Sequence, residues 1–310
     1  MIQYIIGRLF GLLFSVLAIS LILFVSVRWL PGTPWNEQDF PLQGAARENM
    51  LRKYGLDKPV WRQYTIYLWN LAHLDLGNSF VYRTDSVWKT IQRAWPATAK
   101  IGIITVAIAL SVGMTLGILA SLKQNSIFDY AVTLLATSGI TVPNFAVAVW
   151  LVLFVAIYLD LTPTQGWGTW QHMILPVTAY TLAPLGLVAR FTRVSMLEAM
   201  RSDYVRTARA KGLSESAVVL RHIFKNALIP IITLVGPLVP NLMTGSIFIE
   251  ATFGIPGLGR HFVTSIFDRD YPVILGMFML VAVLFGLTYV VSDILYTWAD
   301  PRVRLTRRST

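Results

Sequence analysis

The stretch IGIITVAIALSVGMTLGILASL, from Ile101 to Leu122, decides the fold. It contains no Lys, Arg, Asp or Glu. As a helix it would be about 33 Å long, enough to cross a hydrocarbon core of about 30 Å. Working outward, five more stretches have the same character: Leu9–Val27, Tyr130–Leu159, Leu161–Ala189, Ala227–Ile249 and Tyr271–Ser292. The third is over-long, so its helix is expected to begin a few residues after Tyr130. The fourth carries His172, Pro176 and Pro184, and its span is expected to start near His172.

Composition agrees. Of 310 residues, 55% are hydrophobic and 14% charged, against about 25% charged in a soluble domain. Mean hydropathy is +0.59. These values exclude an ordinary cytosolic enzyme and a disordered chain. The expected fold is an all-α polytopic membrane protein with six transmembrane helices. The first run is longer than the apolar core of a signal peptide, and Arg28-Trp-Leu-Pro31 follows it in place of small residues, so it reads as a retained helix.

Net charge is +10. Excess Lys and Arg can signify nucleic-acid binding, but here the charges fall between apolar runs, where they set orientation. No nucleic-acid partner is expected; the lipid bilayer is. Basic residues crowd the loop 190–226 and the tail 299–310, whereas Asp160–Gln171 has none. Loop and tail therefore read as cytoplasmic, with both termini inside. The expected organisation is a first helix in 1–30, an extra outer segment in 31–96, a five-helix core in 97–298, and the basic tail.

Two extramembrane segments stand out. In the outer one, Arg47–Tyr54 reads as a capped helix ahead of Gly55 and Pro59. Val60–Leu76 then carries Trp61, Tyr64, Tyr67, Leu68, Trp69 and Leu71, an aromatic amphipathic helix. It suits either the membrane interface or simple packing on the bundle, and both readings stay open. In the cytoplasmic one, Ser202 or Asp203 can cap a helix over Tyr204–Lys211, and Gly212 can end it left-handed. Ser214 can cap a second helix over Glu215–Leu228. This helix–Gly–helix hairpin is too small for catalysis. It reads as a partner-docking element or as a plain positive-inside loop.

No enzyme chemistry emerges. A Gly-x-x-x-x-Gly-Lys loop is missing, so this chain cannot cradle ATP in that manner. Gly254, Gly257 and Gly259 lack nucleotide-loop spacing. The four histidines are scattered and form no zinc pattern. There is no Cys, hence no disulfide or thiolate metal site. Asp160, Glu250 and Asp293 sit near span ends, not at depth, which weakens a proton relay. Gly113 and Gly117 form a small-x-x-x-small pair suited to close helix packing. Prolines 143, 176, 184, 230, 237 and 240 fall within spans and suggest kinks.

The segments Asp203-Tyr-Val-Arg-Thr-Ala-Arg-Ala-Lys-Gly-Leu213 and Asn226-Ala-Leu-Ile-Pro230 resemble the cytoplasmic loop of bacterial ABC-importer permeases. The family's Glu-Ala-Ala, three residues, Gly pattern appears with Arg206, Thr207 and Ala208 leading to Gly212. The replacement of Glu and the first Ala resembles the dipeptide/oligopeptide branch. Leu30–Pro34, Tyr54–Pro59, Leu74–Ser79, Glu250–Gly259, Arg269–Pro272 and Asp300–Arg302 resemble further segments of that branch, most of all the B-type subunit of oligopeptide permease.

The resemblance implies a type I importer permease with no cofactor of its own. ATP and magnesium would be bound by two ATPase subunits, beside a second homologous permease and an outer substrate-binding protein. Tyr204, Arg206, Thr207, Ala208, Arg209, Ala210, Lys211, Gly212 and Leu213 would form the ATPase contact. Pro143, Asn144, Asn241 and Thr244 are candidates for the translocation path. Gly254, Pro256, Gly257, Arg269, Asp270 and Tyr271 are candidates for meeting the binding protein. Relatives of this kind also handle nickel, glutathione or oligosaccharides, and a stand-alone secondary transporter or channel is a remoter alternative.

Overall fold

The computed structural model describes residues 2–29, 48–49, 51–52, 55–81 and 85–299. The Leu30–Pro34 segment, most of the Arg47–Tyr54 helix and the tail from residue 300 onward lie outside them. All regular elements among the described residues are helical. Five helices are long and apolar enough to cross a membrane, and a bent pair makes a sixth candidate. The chain falls into two compact units, Met1–Pro96 with Gly257–Leu284, and Ala97–Pro256 with Phe285–Thr310.

In the first unit, α1 (Ile2–Trp29) carries α2 (Val60–Ala72) on its side. Tyr64 and Tyr67 pack on Phe24, with ring centroids 5.1 and 5.6 Å away. Arg28 donates from Nε to Gln63 Oε1 at 2.9 Å. The start of α3 (Val87–Leu122) places Val87, Ile91 and Ala94 against Leu258 of α11 (Leu258–Phe267) and Val273 and Met277 of α12 (Tyr271–Ala299). Gly276 lies against Val87, where a side chain could not fit.

In the second unit the central element is α6 (Gln171–Met200), fifteen of whose residues are buried. It starts one residue before His172, as expected, and residues 161–170 are not helical. Glycines bring its neighbours to backbone contact. A Cβ on Gly117 of α3 would lie 2.5 Å from the Ala189 carbonyl oxygen. A Cβ on Gly186 would lie 2.5 Å from the Ala136 carbonyl of α4 (Ile127–Thr141), and one on Gly139 of α4 would lie 2.6 Å from that of Leu182. The Gly113 and Gly117 pair is thus a packing device, as its spacing suggests.

The third apolar run differs from expectation. Its helix starts earlier, at Ile127, with the Ser126 hydroxyl accepting from the Asp129 amide. It then breaks at Val142-Pro143 and resumes as α5 (Asn144–Leu151), which continues in π-helical geometry through Tyr158; the two halves are bent by 102°. The cause is local. Pro143 has no amide hydrogen to give, and its ring drives the preceding residue out of the helical region. Val142 is extended, with φ −78° and ψ 123°.

The helix expected from Tyr204 is α7 (Asp203–Ala210). The second hairpin helix starts at Glu215 as α8 (Glu215–Ala217), passes through a π-helical stretch to Phe224, and runs on as α9 (Lys225–Met243). A turn at Gly245, with φ +89°, leads to the short α10 (Ile247–Thr252).

Candidate functional site: the 203–213 helix and its surroundings

The α7 sequence alternates anchoring and outward residues at helical spacing. Val205 and Ala208, three apart, point into a cluster with Met196, Ala199, Val218, Ile223 and Ala227. Ile118 of α3 and Met200 flank that cluster. Burial of these side chains seats α7 on the ends of three longer helices by the hydrophobic effect. Tyr204 and Leu213, both 41% exposed, mark the two ends of the opposite face. Arg206, Thr207, Arg209, Ala210, Lys211 and Gly212 are exposed between them. Ala208 is a correction to the expected contact set. Its side chain lies in the hairpin's own core, 4% exposed, because it stands one turn from Val205 on the inner face.

The turn after α7 is closed twice. The Leu213 amide donates to the Ala208 carbonyl at 3.4 Å and the Gly212 amide to that of Arg209 at 2.9 Å. This is the helix-ending pattern that needs a left-handed residue, and Gly212 supplies it with φ +76°. Arg209 also grips Glu215 across the turn, Nη2 to Oε1 at 2.6 Å and Nε to Oε2 at 3.1 Å. This hydrogen bond to a carboxylate holds the guanidinium above its usual pKa range. The expected serine caps do not form. Ser202 instead donates to the Glu198 carbonyl at 3.3 Å, and Ser214 makes no bond to an amide of α8.

Sequence reading missed one ion pair near this hairpin. Arg193 of α6 reaches Asp129 of α4, Nε to Oδ1 at 2.5 Å and Nη2 to Oδ2 at 2.7 Å. Asp129 is 1% exposed and also accepts from the Asn125 amide at 2.9 Å. The partners are 64 residues apart, so neither helical periodicity nor a local motif announces them. Glu250, near the end of its span as expected, is likewise buried, and the Thr98 hydroxyl donates to it at 2.7 Å.

Of the residues expected to line a path, Pro143 and Asn144 form the break in the third run, with Asn144 half-buried. Asn241 is exposed near the end of α9, and the Thr244 hydroxyl donates to its carbonyl at 2.9 Å. What joins the two regions is Phe145 of α5 against Phe248 of α10, centroids 5.6 Å apart.

The residues expected to meet a binding protein divide as well. Gly254 and Pro256 are exposed in the second unit, and Arg269 in the first. Gly257, Asp270 and Tyr271 are buried, a correction with a clear cause. Asp270 accepts from the Ser79 hydroxyl and from the Phe80 amide at 3.0 Å, so its carboxylate fastens the 77–81 segment from within. Tyr271 lies in the cluster formed by Val27, Phe80 and Ile274.

Comparison with known proteins gives this geometry a family. Residues 113–305 match the model described as "Binding-protein-dependent transport system inner membrane component". The dipeptide transport system permease protein DppB of Bacillus subtilis is 38% identical over 308 residues, covering 99% of this chain and all of the relative. The oligopeptide transport system permease protein OppB is 40% identical in Haemophilus influenzae and 39% in Escherichia coli K12, each over 98% of this chain and all of the relative. Among solved structures, an amino acid ABC transporter aligns with a TM-score of 0.53 at 14% identity, over 67% of this chain and 92% of that one. The MetNI methionine ABC transporter aligns at 0.51 and 15%, over 69% and 97%. Those two likenesses concern the fold. With the full-length relatives and the family model, they establish that this chain is a multi-pass permease of the bacterial inner membrane, a member of the family of inner membrane components of binding-protein-dependent transport systems.

Proposed function

We propose that this permease forms one half of the transmembrane path of an ATP-driven peptide importer, working on dipeptides or oligopeptides. The observation that carries the reading is the outward face of α7. Val205 and Ala208 seat the helix on the core. The rest presents Tyr204, Arg206, Thr207, Arg209, Ala210, Lys211, Gly212 and Leu213 to a partner. Small residues at 207, 210 and 212 let that partner approach closely, and the basic ones favour an acidic groove. The partner is an ATPase subunit, which supplies ATP and magnesium. Two ATPases, a second homologous permease and a substrate-binding protein complete the assembly. The full-length relatives named for dipeptide and oligopeptide transport support the substrate class.

In this reading the 190–226 loop and both termini face the cytoplasm, in keeping with the Lys and Arg excess of that loop. Nucleotide-driven closure of the ATPases draws the α7 helices together, and α6 and α9 carry the displacement into the bundle as alternating access. The experiment is purification from native membranes in mild detergent, followed by reconstitution and uptake of a labelled peptide. Co-purification of two ATPases and a second permease, with ATP-dependent uptake, supports the proposal. A chain recovered alone, to which added ATPases never bind, overturns it.

A further inference from the structure

The transport reading leaves α2 without a role, yet the helix is closely tied to α1. The Tyr64 hydroxyl lies 2.9 Å from Ser20 Oγ, and both tyrosines pack on Phe24. Arg8 and Arg28 bracket the uncharged part of α1, Leu9–Val27, which at 1.5 Å per residue is about 28 Å long and matches the hydrocarbon core. Ser20 and Phe24 therefore lie about 10 and 4 Å inside the apolar end near Val27. Side chains of α2 thus reach below the membrane boundary, although the helix is too short to cross.

The other face of α2 has the matching chemistry. Trp61, Thr65 and Trp69 form a stripe four residues apart, flanked by Arg62 and Ile66, all exposed. Each tryptophan is 69% exposed. Trp29 at the end of α1 and Trp88 at the start of α3 are 84% and 50% exposed. Indoles prefer the boundary because the ring is apolar while its N–H stays within reach of water and headgroups. A neighbouring Arg can bury its stem and lift its guanidinium towards phosphate.

We propose that α2 lies in the polar–apolar boundary of the bilayer, with Trp61 and Trp69 seated among lipid at the level of the upper acyl chains. Trp29 and Trp88 then continue an aromatic collar at the ends of α1 and α3. The occupant of this face is lipid, not another protein.

The chain has no cysteine, so Thr65→Cys and Trp69→Cys can be labelled singly with a fluorophore. The transporter complex is placed in vesicles of phosphatidylethanolamine and phosphatidylglycerol. The expected result is loss of fluorescence to lipids with a nitroxide near the headgroup, exceeding the loss to lipids with a deep nitroxide and to iodide in the water. Thr65→Cys keeps both tryptophans, so a defect from losing Trp69 cannot mimic the outcome. Quenching mainly by iodide places α2 in water and overturns the proposal. Shielding from all three quenchers means that a protein surface covers the stripe, and overturns it as well.

Discussion

Arg193 closes a two-point ion pair on Asp129, tying α6 to the first turn of α4 close to where α6 hands over to α7. Asp129 is buried and Arg193 partly so. Removing one partner would strip the other of two charge-assisted hydrogen bonds, at a cost of about 1–3 kcal/mol. Asp129→Asn or Arg193→Ala should lower the unfolding midpoint of the purified complex markedly. The reversed pair, Asp129→Arg with Arg193→Asp, should regain part of that loss. Thermal unfolding in detergent measures this, and equal midpoints for wild type and single variants would remove the pair from any structural role.

The turn at Gly212 offers a different test. Within this chain open space surrounds the place where its Cβ would be, so a substitution strains the fold through φ +76° alone, while Val and Asn, similar in size, would crowd a docked partner alike. Gly212→Val should strain the turn by about 1–2 kcal/mol, whereas Gly212→Asn tolerates the left-handed region. Membrane insertion should be normal in both. Uptake per ATP hydrolysed should fall further in the valine variant than in the asparagine one.

Glycines inside the long helices should separate into two classes. Gly117→Ala and Gly186→Ala would each force a Cβ to 2.5 Å from a carbonyl oxygen, and overpacking of this kind costs about 1–3 kcal/mol. Gly7→Ala and Gly11→Ala meet nothing within 4 Å and should leave the unfolding midpoint unchanged or slightly higher. The four midpoints, measured side by side, check the contrast.

Pro143→Ala should relax the bend by restoring an amide donor and freeing Val142 to become helical. Spin labels at Leu134→Cys and Phe154→Cys, both exposed positions, report it. A straight helix would separate the two backbone positions by about 30 Å. The wild-type background, bent by 102°, should give a clearly shorter distance.

In the 254–272 region, Arg269 and Asp270 should behave oppositely despite being adjacent. Arg269 is exposed with φ +53°, so Arg269→Gly should be neutral or stabilising. Asp270→Ala removes the acceptor used by Ser79 and Phe80 and should cost about 1–3 kcal/mol. Proteolysis near residues 77–81 should rise only in the second variant.

Hydropathy and helix punctuation made much of this fold readable. The start of α6 near His172, the α7 helix ending at Gly212 and the aromatic α2 all follow from patterns within about thirty residues. The third run shows where such reading stops. Val142-Pro143 was visible, but proline in a span is compatible with a mild kink or a sharp break, and tertiary packing selects between them. The α7 surface was legible because Arg206 and Lys211 signal exposure, while the inward turn of Ala208 depends on which face meets Met196 and Ile223. Asp129 with Arg193, Thr98 with Glu250 and Ser79 with Asp270 join residues far apart in sequence, and a single chain carries no periodic signal for such pairs.

The glycine contacts around α6 have a mechanical consequence. Helices that meet across glycines set backbone on backbone, closer than two facing rows of side chains allow. Between α4 and α6, Gly139 and Gly186 set one backbone against the other's carbonyls, with no side chain there to rearrange. The seam therefore holds few rotamers to rearrange, and a displacement of α6 would reach α4 with little taken up between them.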